Sequence, residues 1–154
     1  MLNRRNLAAA LALSALTAIP AQAADNGIVR AKSAYSMTET VDRLKKDVAA
    51  KGIKFFTEID QTKLAADAGI KLGPSTLLIF GNPALGSQFM TSNPQAGIDW
   101  PVRLLVIEDK NGQVWTIYND FGYIARRHHI SDRRAAFKMA SEVIASITSS
   151  VRQK

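Results

Sequence analysis

The chain has 154 residues, 20 Lys and Arg against 13 Asp and Glu for a net charge of +7, and no cysteine. The missing thiols exclude disulfides, thiolate catalysis and iron–sulfur ligation, and the length suits one ordinary domain with its own core. Beyond the first residues, no apolar run is long enough to cross a bilayer as a helix.

Arg4 and Arg5 precede an alanine-rich apolar run from Leu7 to Ile19, and Ala21-Gln22-Ala23 has the small-x-small pattern of a cleavage site. This predicts a secretory signal peptide cut after Ala23, hence a periplasmic or secreted protein with residues 24–154 as a single domain. The paired arginines also suit twin-arginine export, with general secretion as the default. Cleavage leaves 131 of the 154 residues, 18 of them basic and 13 acidic. Segment 24–125 balances at 11 against 11, so all the excess charge lies in 126–154, with seven cations and two anions. For an exported protein this argues against nucleic acid. It leaves a solvated face, or a basic C-terminal helix drawn to an anionic membrane surface.

Gly27 to Ser33 reads as a first strand. Ser36-Met37-Thr38-Glu39 is a capping box, and the helix it opens carries Met37, Val41, Leu44 and Val48 on one stripe until Gly52 stops it. Ile53 to Ile59 predicts a second strand, and Asp60 caps a short alanine-rich helix, expected to pack closely, that ends at Gly69. Leu72-Gly73-Pro74 turns into a third strand, Ser75 to Phe80, whose Leu77-Leu78-Ile79-Phe80 run reads as a central strand buried on both faces. Gly81-Asn82-Pro83 ends it at once: Asn82 suits a helix N-cap and Pro83 the first helical position.

The helix after Pro83 is interrupted at Asn93-Pro94, and Gly97 closes a further turn before Asp99-Trp100-Pro101. Val102 to Glu108 and Gln113 to Asn119, joined by Asp109-Lys110-Asn111-Gly112, predict a hairpin. Asp120 to Ile130 reads as loop or a single helical turn. Ser131-Asp132 caps a long final helix with Ala136, Phe137, Ala140, Val143, Ile144, Ile147 and Val151 on one side. The order predicts a two-layer α+β fold, an antiparallel sheet of about five strands with the long C-terminal helix across one face and short helices inserted.

The string Leu78-Ile79-Phe80-Gly81-Asn82-Pro83, followed by Gly86-Ser87 and Met90, resembles the motif FGNPxxG[ST]xxM of the domain of unknown function 302 (DUF302) family. Trp100-Pro101, Glu108-Asp109, Gly112, Tyr118 and the Arg127-His128 pair continue the likeness, which spans about Ile28 to Ile130. It implies a compact β-α-β(4)-α domain similar to the TATA-binding-protein-like class, often dimeric. Three positions depart from the family pattern: Trp100 replaces a smaller residue, Phe121-Gly122 stands where Asp-Pro is common, and His129 where Gly is usual.

Three groups carry possible chemistry. The corner offers free amides to a small anionic ligand or a protein partner, with Gly81, Asn82, Pro83, Gly86, Ser87, Trp100 and His128 as the candidate site. An acid–base group is the alternative: His128 with Asp99, Glu108, Asp120 or Tyr118, in a hydrolase or isomerase. The adjacent His128 and His129 diverge and match no metal motif, so no cofactor is expected; a metal held by one of them with carboxylates, or haem on His128 or a Met, stays the alternative. The aromatic residues read mostly as core, with Trp100 in a loop either plugging a pocket or anchoring a partner. The preferred expectation is a non-catalytic, exported binding domain, as a homodimer.

Overall fold

Alternation along four of the five strands decides which side of the sheet becomes the core. A computed structural model describes residues 26–152; the expected signal peptide lies outside them. The elements run β1 (Ile28–Lys32), α1 (Met37–Ala50), β2 (Lys54–Asp60), α2 (Gln61–Asp67), β3 (Ser75–Gly81), α3 (Pro83–Ser92), a 3-10 helix (Pro94–Asp99), β4 (Val102–Glu108), β5 (Val114–Asn119), α4 (Phe121–Arg127) and α5 (Arg134–Ser149). All neighbouring strands are antiparallel, in the order β1-β5-β4-β3-β2. Fold class and strand number match the sequence expectation.

On one face Val29, Leu78, Phe80, Leu104, Val106, Val114 and Tyr118 join Val41, Leu44 and Val48 of α1 and Phe137, Ala140, Ile144 and Ile147 of α5 in a single core. Leu44, Leu78 and Leu104 are fully buried, each contributing about 1.5–3 kcal/mol. The serine half of the capping box forms, Ser36 Oγ accepting from Glu39 N–H at 3.3 Å, while the Glu39 carboxylate pairs with Arg43 at 2.9 Å. In the β4–β5 hairpin the Asp109 carboxylate accepts from Asn111 and Gln113 amides, and Gly112 takes φ +73°, a left-handed conformation.

Several expectations need correction. β4, not β3, holds the middle of the sheet. β3 is buried on one face only: Leu78 and Phe80 are sealed, whereas Leu77 and Ile79 stay half-buried with Leu105, Ile107, Trp115 and Ile117 on the opposite face. A continuous apolar run does not distinguish a strand covered twice from one covered once. β2 lies at the sheet edge and leaves Phe55 and Phe56 exposed, so these two aromatics are not core. α2 buries none of its residues. Asp120 opens a true helix, α4, by accepting from Tyr123 N–H at 2.6 Å. Ser131 and Asp132 do not cap α5: Arg133 holds the cap position, and Asp132 instead binds Ser92 and Arg133. Of the six described C-terminal cations, only Arg134 and Lys138 belong to α5 itself.

Candidate functional site

β3 ends at Gly81 and α3 begins at Pro83, as the sequence requires. Asn82 is the N-cap, its Oδ1 accepting from Leu85 N–H at 3.2 Å while its carbonyl takes the Leu85 and Gly86 amides. The first turn of α3 is therefore largely satisfied by its own cap.

Two glycines of the motif serve one side chain. The Trp100 indole lies against them: a Cβ on Gly81 would stand 3.1–3.3 Å from Nε1, Cε2 and Cζ2, and a Cβ on Gly86 would overlap the ring at Nε1, Cε2 and Cδ1. Phe56 meets the indole edge-on, with ring centroids 6.0 Å apart. Trp100 thus becomes a wall, and beside it opens a cavity of about 380 Å³ between the corner and α5. Phe80, Leu85, Phe89, Val102, Phe121, Val143, Ile144 and Ile147 supply apolar lining, Gly81, Asn82, Gly86 and Trp100 the corner, and Lys51, Glu142 and Ser146 polar atoms. Met139, 55% exposed, also lines it. Phe89 stacks on Phe137 with centroids 4.1 Å apart, which ties α3 to α5 behind the cavity.

The seven candidate ligand residues are not all assembled here. Gly81, Asn82, Gly86 and Trp100 line the cavity; Pro83 and Ser87 are exposed residues of α3 that do not. His128 lies elsewhere. It is buried, with Nε2 2.6 Å from Asp99 Oδ2. Arg127 Nη1 stands 3.3 Å and Arg103 Nη2 3.8 Å from the other Asp99 oxygen.

Of the acid–base candidates, only Asp99 and His128 meet. Glu108 closes β4 at the end away from Asp99, about 20 Å along the strand. Asp120 spends its carboxylate on the α4 cap. Tyr118 points into the core, where burial pushes its phenol above the ordinary value, so it stays neutral at physiological pH. Among the described residues, no group of three or more His, Asp or Glu is placed to hold a metal. The α5 side of the cavity and the Arg103 and Arg127 contacts were missed by sequence reasoning. The apolar stripe of α5 carried a signal for the first; no local pattern announces the second.

A family model described as domain of unknown function DUF302 matches residues 29–152. The crystal structure of an uncharacterized conserved DUF302 protein from Bacillus stearothermophilus superposes with a TM-score of 0.75 over 82% of this chain and 98% of that one, at 16% identity. Among curated proteins, the chain is 38% identical over 106 residues to Fluoride-specific ion channel FluC 1 of Brucella suis biovar 1 and to its namesake of Brucella abortus biovar 1. The match covers 69% of this chain but only 42% and 39% of theirs, so the chain spans about two fifths of the length of these relatives. Among the described residues no helix is long and apolar enough to cross a membrane. The family model takes in every strand but the first residue of β1, together with the corner and both core helices, and the chain belongs to the DUF302 family.

Proposed function

We propose that this is a non-catalytic binding domain that takes a small ligand with an apolar body and one anionic end. The observation that carries the reading is the cavity of about 380 Å³ between the Gly81–Gly86 corner, Trp100 and α5. Its size lies at the lower end of the range for small-molecule pockets, and its mixture of many apolar and few polar lining groups is what such pockets share. Asn82, Lys51, Ser146 and Glu142 are the polar groups of the lining, and Lys51, the cation among them, would receive the anionic end in exchange for Asp47, which it pairs at 2.8 Å. The lining moves the reading away from a bare inorganic anion on the α3 amides, since Asn82 already caps them. We further read the protein as exported after cleavage behind Ala23, and as a homodimer. The second copy would cover the half-buried Leu77, Leu105, Ile107 and Ile117 on the opposite face of the sheet.

The test is a calorimetric titration of residues 24–154 with decanoate and, separately, with fluoride, which enters because the relatives carry it in their names. Saturable decanoate binding that Val143→Trp abolishes, with thermal midpoint unchanged, supports the reading. Binding that ignores Val143→Trp, or no decanoate binding at all, counts against it. A fluoride response that Val143→Trp leaves unchanged moves the function to the corner amides.

A further inference from the structure

A second, open groove lies where the 3-10 helix meets the end of α4, lined by Pro94, Gln95, Ile98, Arg127 and His128. His128 is the C-cap of α4, with a side chain only 6% exposed. Its Nε2 is committed to Asp99 at 2.6 Å. Among the described residues no group hydrogen-bonds Nδ1, and the sealed side-chain polar atoms that lack a hydrogen bond lie elsewhere, at Asp47 and Arg152. Nδ1 thus has no hydrogen-bond partner among the described residues and is not fully sealed, and His128 is one of the residues lining the groove.

The charge around it is unbalanced. The Asp99 side chain, 3% exposed, faces Arg127 and Arg103 on Oδ1 and His128 on Oδ2. One carboxylate thus meets two guanidinium groups, so the cluster carries one net positive charge with His128 neutral and two with it protonated. The Ile98 carbonyl accepts from the Arg103 guanidinium. The Arg127 side chain is 49% exposed, at the groove wall.

We propose that this groove binds an oxyanion, a carboxylate or phosphate group that accepts from His128 Nδ1–H and pairs with Arg127. Nε2–H donates to Asp99 in either protonation state, so a neutral ring presents a lone pair at Nδ1 and only the imidazolium donates on both sides. An anion held in this way binds the doubly protonated ring, so affinity rises as pH falls. The charged groups facing the ring are Asp99, from the 3-10 helix, and Arg127 on α4, with Arg103 on β4 behind Asp99. The site is separate from the apolar cavity and does not depend on that reading.

The chain has two histidines, and His129 is exposed with φ +54°, a conformation Asn tolerates. His129→Asn leaves His128 as the single imidazole signal. Its ring nitrogens are followed by nitrogen-15 NMR in residues 24–154 at pH 6 to 8, with inorganic phosphate or acetate added at constant ionic strength against chloride. The expected result is a saturable move of Nδ1 toward the imidazolium position and a roughly tenfold shift in its proton affinity, both weakened about tenfold by Arg127→Gln and less by Arg127→Lys. A response to phosphate and not acetate assigns a phosphoryl ligand, and the reverse a carboxylate. No saturable change, an equal change in chloride, or a response that ignores Arg127→Gln overturns the proposal.

Discussion

Gly86→Ala tests how the corner is built. In an exposed helix, Gly to Ala gains about 1 kcal/mol of propensity. Here a Cβ overlaps the Trp100 indole, which would have to retreat by on the order of 1 Å to recover ordinary van der Waals spacing. Overpacking of this kind costs about 1–3 kcal/mol, so the net effect in the wild-type background is a loss of up to about 2 kcal/mol. Trp100→Ala removes the obstacle, and in that background Gly86→Ala becomes neutral or stabilising by up to ~1 kcal/mol. The cycle should therefore show a coupling of about 2 kcal/mol, read from urea unfolding of the four proteins. Equal destabilisation in both backgrounds would refute the argument that Gly86 is small because the indole lies on it.

Three further outcomes follow from single contacts. Asn82→Ala removes the α3 cap and should cost about 1 kcal/mol in urea unfolding, with Asn82→Ser recovering most of it. The Trp115 Nε1–H bond at 2.8 Å, then the Asn111 amide, hold the Asp109 carboxyl below the ordinary carboxylate range. A lowered folded value means stability present above the unfolded value of about 3.8 and lost as pH falls through the folded one; Trp115→Phe should move the Asp109 titration up, seen by carbon-13 NMR, and an unmoved titration would contradict this cause. Leu105→Glu, in the half-buried row of the sheet's opposite face, should turn the proposed dimer into a folded monomer by light scattering; a dimer that survives it would move the contact elsewhere, and a wild-type monomer would contradict the proposed dimer.

The fold was legible because its signals are local. Ser36 with Glu39, Asp60, and Asn82 with Pro83 each mark a helix start that forms, and Asp109 to Gly112 marks a hairpin that forms. Errors arose where a local pattern serves two tertiary settings. Leu77 to Phe80 reads the same whether one face or two are covered, and Ser131-Asp132 has cap chemistry but spends it on Ser92 and Arg133. The site was half legible. The glycines and Trp100 stood out by type, yet their mutual contact, the α5 wall and the separation of His128 from the corner depend on how α3, α4 and α5 pack, which no spacing encodes.

The most direct test of the corner cavity is an amide NMR titration of residues 24–154 with decanoate. The cavity reading predicts saturable shifts confined to Gly81–Gly86, the Trp100 indole N–H and Val143–Ile147, lost in Val143→Trp. Shifts that fall instead on the sheet's opposite face, or none at saturating decanoate, would contradict it.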